Sequence, residues 1–212
     1  MAPGLRERKK QQTRQRITEA AVRLFADRGF DHVPVAEVAR AADVSEATVF
    51  NYFPSKEDLV YQGMAEYEEA LLDAVRDRPA GVSVLDAFRE LLLRPGGALA
   101  GDDPAATARI ATVARIIAGS PTLQVRELRM VDRHTTALAE LIARDGRARA
   151  ARIEPWVVAN ALMGVQRAMK DAVHRQALAG QDGSRIARDV VAQARKALDV
   201  LERGLAGYAP AR

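Results

Sequence analysis

Residues 35–56 read VAEVARAADVSEATVFNYFPSK, and this stretch decides the fold. At helical period Val35, Val38, Ala39 and Ala42 share one face, and Asp43-Val44 then breaks the pattern. Ser45 opens a second helix as its N-cap, with Val49, Phe50 and Phe53 on it. Two short helices joined by a tight turn make a helix-turn-helix. The second of them exposes Glu46, Ala47, Thr48, Asn51 and Tyr52, the shape of a helix that lays its N-terminal residues against base edges in a major groove.

Working outward, residues 1–12 read as a basic disordered arm, and Thr13 as the cap of a helix carrying Ile17, Ala20, Ala21, Leu24 and Phe25. Gly29 ends that helix, and Pro34 stands at the first position of the next, about 34–42. Asp43 is expected in a left-handed turn conformation. The recognition helix spans about 45–52, Pro54 stops it, and Ser55 caps a fourth helix reaching about Arg78. Further helices are expected at about 83–93, 104–118, 121–144, 155–178 and 184–205, with turns at 94–97, Asp145-Gly146 and 180–183. Nothing alternates at period two long enough for a strand. The chain therefore reads as all-α, with about nine helices: an arm at 1–12, a three-helix helix-turn-helix domain at 13–56, and a helical bundle at 57–212.

Of the 212 residues, 48% are apolar, enough for a sizeable core, and only 5% are aromatic, which suits packed helices better than a sandwich of sheets. Without cysteine there is no disulfide, thiol nucleophile or Cys-ligated zinc. His32, His134 and His174 show no metal-ligand spacing, so no metal or cofactor is expected. No apolar run is long enough to span a membrane and the N-terminus is not signal-like, so a soluble cytoplasmic protein is expected. The net charge of +4 is unevenly spread. Residues 1–60 hold ten Lys/Arg against nine Asp/Glu, whereas residues 1–16 hold six against one. A nucleic-acid reading must therefore rest on the motif and the arm, which taken alone reads equally well as a solvated tail.

The combination of Ala39, Val44-Ser45, Thr48-Val49-Phe50, Tyr52-Phe53, Lys56 and Leu59 resembles the DNA-binding domain of TetR-family transcriptional regulators. The resemblance covers about 45 residues, and the number and order of the later helices are compatible with it. It implies a bacterial homodimer whose C-terminal helices bind a ligand and dimerise, most such proteins being repressors released by a small molecule. Two positions depart from the family pattern. Val33-Pro34 stand where hydroxyl residues usually precede the second helix, removing one expected phosphate contact, and Asp43 replaces the turn glycine.

On this resemblance Tyr52 and Lys56 are phosphate contacts. Thr48 faces phosphate or a thymine methyl, and Glu46, Ala47 and Asn51 are base-edge candidates, complementary to cytosine N4, thymine methyl and adenine. Glu46 has a second reading, as a first-turn acid favoured by the helix dipole with no base contact. Phe50 lies along the DNA backbone or packs inward, while Val49 and Phe53 are core. The arm from Arg6 to Arg16, Arg14 included, adds phosphate or minor-groove contacts. One unit makes too few contacts for specificity, so two copies on a palindromic double-stranded operator are expected, with half-sites about 34–36 Å apart.

The expected homodimer face combines Trp156, Ala159, Met163, Gly164 and Arg167 with Val190, Ala194, Ala197 and Leu201; plain monomer core is the alternative. The resemblance places a pocket among the later helices, with Phe88, Met130, His134, Trp156, Met163, Gln166 and Met169 as candidates. Their apolar bias points to a hydrophobic effector, although each Met and aromatic is read as well by core packing. The alternatives are a DNA-binding dimer without an effector, or an activator. An enzyme is disfavoured because no nucleophile-base, paired-carboxylate or metal constellation appears.

Overall fold

The computed structural model describes residues 4–94, 103–145 and 153–204. Among them are nine helices and no strand: α1 Leu5–Arg28, α2 Val35–Ala41, α3 Glu46–Tyr52, α4 Asp58–Arg76, α5 Val84–Leu92, α6 Pro104–Ala118, α7 Pro121–Asp145, α8 Ile153–Leu178 and α9 Gly183–Arg203. The expected turn at 95–97, Gly146 and the end of the last helix at Leu205 lie outside the described residues.

Local chemistry explains most boundaries. Ser45, Ser83 and Asp182 each accept a backbone N–H three residues on, as N-caps do. Pro104 and Pro121 stand at first helical positions, where no N–H partner is needed. Gly29 takes φ +83° and returns its N–H to the Phe25 carbonyl. Asp43, at φ +53°, is the one non-glycine residue with positive φ among those described, as its place in the turn requires.

Two expectations need correction. The first helix begins at Leu5, not Thr13, so residues 5–12 continue its spiral and Thr13 is an interior position. The Arg/Lys/Gln-rich run has high intrinsic helix propensity, and a helix already formed downstream extends through it without a new nucleus. The eighth helix begins at Ile153, leaving Pro155 inside the first turn, where its missing N–H costs nothing.

Two compact units are present. The first is the chain up to Ala65 together with Thr112–Glu127; the second is Glu66–Ala111 and Leu128 onward. The boundary falls beyond the expected 56/57 because the opening turns of α4 bury Leu59, Val60 and Tyr61 in the first unit. That unit's interior also holds Ile17, Phe25, Phe30, Val33, Val38, Val49 and Phe53, with the Phe25 and Phe30 rings edge to face at 5.0 Å. In the second unit α8 and α9 pack along each other and α5 packs against both. Its core joins Leu71, Val75, Phe88, Leu138, Leu162, Met163 and Leu198.

Candidate nucleic-acid interface

The corner between α2 and α3 is closed by backbone hydrogen bonds. The Ala42 N–H donates to Val38 O, Asp43 N–H to Arg40 O and Val44 N–H to Ala39 O, at 3.0, 3.2 and 3.0 Å. Ser45 Oγ then accepts the Thr48 N–H at 3.1 Å and lies 2.8 Å from Thr48 Oγ1. When Ser45 is the donor of that hydroxyl pair, the Thr48 proton stays free for a phosphate oxygen. Arg28 and Glu37 form a two-pronged ion pair that joins the end of α1 to the start of α2.

This frame divides α3 by face. Val49 and Phe53 are buried, as expected, while Glu46, Ala47, Phe50 and Asn51 are exposed and Thr48 and Tyr52 half-buried. Phe50, at 47% exposed, does not pack inward, so the alternative in which it joins the core is removed. Phe50 thus stands on the same outer face as Glu46, Ala47 and Asn51.

The two cations expected on the DNA backbone are drawn inward. Lys56 Nζ donates to the Phe30 carbonyl at 2.6 Å and stands 4.3 Å from the Phe30 ring centroid and 5.7 Å from that of Phe25. Burial pushes its pKa below the ordinary lysine value. Arg14 lies with its guanidinium 5.6 Å from the Phe53 ring centroid and is half-buried. By contrast Arg6, Arg8, Lys9, Lys10 and Arg16 are exposed along the first turns of α1. The basic arm is thus a helical row of charges, which the sequence reading had as a disordered tail.

The start of α4 is held from two sides. Ser55 and Asp58 form a capping box: Asp58 N–H donates to Ser55 Oγ at 3.3 Å and Ser55 N–H to Asp58 Oδ2 at 3.0 Å. Asp58 also accepts from Arg126 at 3.1 Å, and Tyr61 donates its hydroxyl proton to the Leu123 carbonyl at 2.9 Å. Sequence reasoning missed both links, since neither Arg126 nor Leu123 belongs to a local motif.

Residues 17–62 match the family model described as bacterial regulatory proteins, tetR family. The chain is 35% identical to the transcriptional regulator TcmR of Streptomyces glaucescens over 146 residues, 66% of this chain and 63% of that one. Residues 17–62 are thus a TetR-family segment. The relatives that this chain resembles are transcriptional regulators. The matched region spans just under two thirds of the length of TcmR. A second relative, MftR of Mycobacterium tuberculosis, is 28% identical over 158 residues, 74% of this chain and 78% of its own. LuxR of Vibrio harveyi reaches 51% identity over only 47 residues, 22% of this chain and 23% of its own. Among solved structures, the fatty acid degradation regulator FadR of Bacillus halodurans has the same fold at 19% identity, covering 99% of both chains with a TM-score of 0.52.

In the second unit the expected ligand residues divide. Phe88, Met130 and Met163 are fully buried, Met169 packs half-buried on the core, and Gln166 is buried on α8. Trp156, 40% exposed, lies on the surface and is not an interior residue. His134 meets Glu68, a buried carboxylate the sequence reading did not single out.

The expected dimer face needs the larger correction. Ala159, Met163, Val190 and Ala194 are buried in the unit's own core, and Ala197 and Leu201 pack against it. The helical stripes of α8 and α9 with the best bundle spacing close on each other within one chain, and so are unavailable to a second copy. Trp156, Gly164 and Arg167 remain exposed on α8, joined there by Val157 and Val158. Among the described residues no helix is long and apolar enough to cross a membrane.

Proposed function

We propose that this chain is a TetR-family transcriptional regulator that acts as a homodimeric repressor in the cytoplasm. It binds a palindromic operator through α3 and is released when a small molecule occupies the second unit. The observation that carries the DNA half is the outer face of α3, where Glu46, Ala47, Phe50 and Asn51 stand exposed on a helix fixed by its Ser45 cap. Asn51 reads adenine, and Thr48 and Tyr52 at the rim take phosphate. The exposed basic row on the first turns of α1 supplies salt-dependent affinity.

Dimerisation is supported by Gly164. A glycine within a helix costs about 1 kcal/mol relative to alanine. Among the described residues, a Cβ there would meet nothing within 4 Å beyond its own stretch of helix, so no packing seen among them accounts for the glycine. Close approach of a second α8 across a two-fold axis does account for it, flanked by exposed Val157 and Arg167. Release follows as a population shift: a ligand that prefers the non-binding arrangement by about 5.5 kcal/mol moves the equilibrium across most of its range.

The test is a footprint on DNA flanking the coding region, repeated with Asn51→Ala. The expected result is a protected inverted repeat whose adenine preference at one position is lost in the variant. Equal loss on every sequence removes Asn51 from base reading, and no salt-dependent protection at all removes the DNA half of the proposal.

A further inference from the structure

A groove opens in the second unit between the start of α6 and the turn that joins α8 to α9. Its cavity volume is about 570 Å³, within the range of small-molecule sites. Two polar atoms on its lining are buried without a hydrogen-bond partner among the described residues, Thr107 Oγ1 on α6 and Gln181 Oε1 in the turn. Thr107 as a whole is 8% exposed. A helical threonine can return its hydroxyl to the carbonyl one turn back, as Thr18 and Thr135 do to Arg14 and Val131. Thr107 makes no such bond. A buried polar atom left unpaired costs free energy, so these two mark where the groove can meet a ligand's donors.

The charges around the groove decide the ligand's sign. The starts of α6 and α9 would each favour an anion, because unpaired backbone N–H groups collect at a helix N-terminus. Both already have one from the chain itself. Asp103 Oδ1 accepts the Ala105 N–H at 2.9 Å, and Asp182 Oδ1 accepts the Arg185 N–H at 2.7 Å and the Ser184 hydroxyl at 2.9 Å. The bond from the Arg185 backbone, and then that from Ser184, holds the Asp182 carboxyl below its ordinary range. Arg188 is the one cation among the described lining residues, and it donates to Ser184 Oγ at 3.3 Å. Two carboxylates therefore stand over one guanidinium, and both unpartnered atoms can accept. A ligand bringing N–H donors and positive charge suits this lining, and a further anion does not.

We propose that this groove is a ligand site of the second unit and takes a small organic cation bearing a primary ammonium group. Asp103 and Thr107 stand one turn apart, the Thr107 N–H donating to the Asp103 carbonyl at 3.2 Å, and so lie on one side of α6. The three N–H donors of the ammonium go to Thr107 Oγ1, Gln181 Oε1 and the Asp103 carboxylate. The assignment rests on the reading that the second unit binds a small molecule, and it names the place and the class of that ligand.

Isothermal titration of the full chain with cadaverine, the diol of the same carbon length and glutarate tests this, since the three differ mainly in charge. Cadaverine is expected to bind about ten-fold or more tightly than the diol, as one charge-assisted contact allows, and glutarate more weakly than either. Asp103→Asn should bring cadaverine down to the diol. Thr107→Val and Gln181→Leu should each weaken cadaverine about ten-fold, while Thr107→Ser, which keeps the hydroxyl, retains it. The diol or glutarate binding as tightly as cadaverine would overturn the cationic class. Cadaverine bound equally well by Thr107→Val and Gln181→Leu would overturn this site and leave a small-molecule site elsewhere in the unit standing. No binding by any of the three probes would overturn the proposal, whereas operator protection lifted by some other small molecule would still uphold the broader reading.

Discussion

The ammonium of Lys56 donates to the carbonyl of Phe30 at 2.6 Å, across the Phe30 ring. The contact ties the turn before α4 to the turn after α1, which flank the helix-turn-helix on either side. Lys56→Met is therefore expected to lower the thermal midpoint and to weaken operator binding about ten-fold on all sequences. The slope of log K against log salt should stay unchanged. A lysine spent on phosphate would instead reduce that slope by about 1, so the slope separates the two roles.

Tyr61 is fully buried, and its hydroxyl donates to the Leu123 carbonyl at the start of α7. Burial raises its pKa far above the usual tyrosine value, so the phenol stays protonated and remains a donor. Tyr61→Phe keeps the ring and leaves that carbonyl without its partner, which costs about 1–3 kcal/mol. Urea unfolding should show the loss as a lower midpoint at constant slope.

Stability should respond to pH through two histidines of opposite sign. Glu68 holds the His134 pKa above the ordinary value. Its contribution is complete below the unfolded-state pKa of about 6.5 and is lost as pH rises through the folded value. Burial holds His174 below the ordinary value, so its contribution is complete above about 6.5 and is lost as pH falls through the folded value. His134→Gln should therefore flatten the alkaline limb of a melting-temperature profile, and His174→Phe the acid limb. Identical limbs in both variants and wild type would deny both histidines a part.

Gly164→Leu adds a side chain at an exposed position of α8 whose Cβ meets nothing within 4 Å among the described residues beyond its own stretch of helix. The fold should survive with an unchanged helical circular dichroism spectrum, while sedimentation shifts from dimer toward monomer and operator affinity falls. A dimer that persists at unchanged affinity would move the interface off this face of α8.

Much of this molecule is written in short-range signals. Ser45, Ser83 and Asp182 mark helix starts because a cap bonds within three residues, and Asp43 marks the turn because its strain is local. The helix-turn-helix, with Val49 and Phe53 in and Asn51 out, was legible for the same reason. The extension of α1 back to Leu5 was missed because a polar, basic run has no apolar stripe to mark it, although its propensity is helical.

The sequence by itself determined where most helices lie, where they turn and which family the segment 17–62 matches, because caps, periodicity and turn residues act over a few positions. Only the tertiary structure decided that Lys56 turns to a carbonyl 26 residues away, that Tyr61 reaches one 62 residues away, and that Glu68 meets His134 in the interior. It also decided which stripe of α8 its own neighbour α9 consumes and which it leaves open. Which polar groups meet, and which apolar faces stay bare, depends on how helices distant in sequence are brought side by side, and no local pattern encodes that.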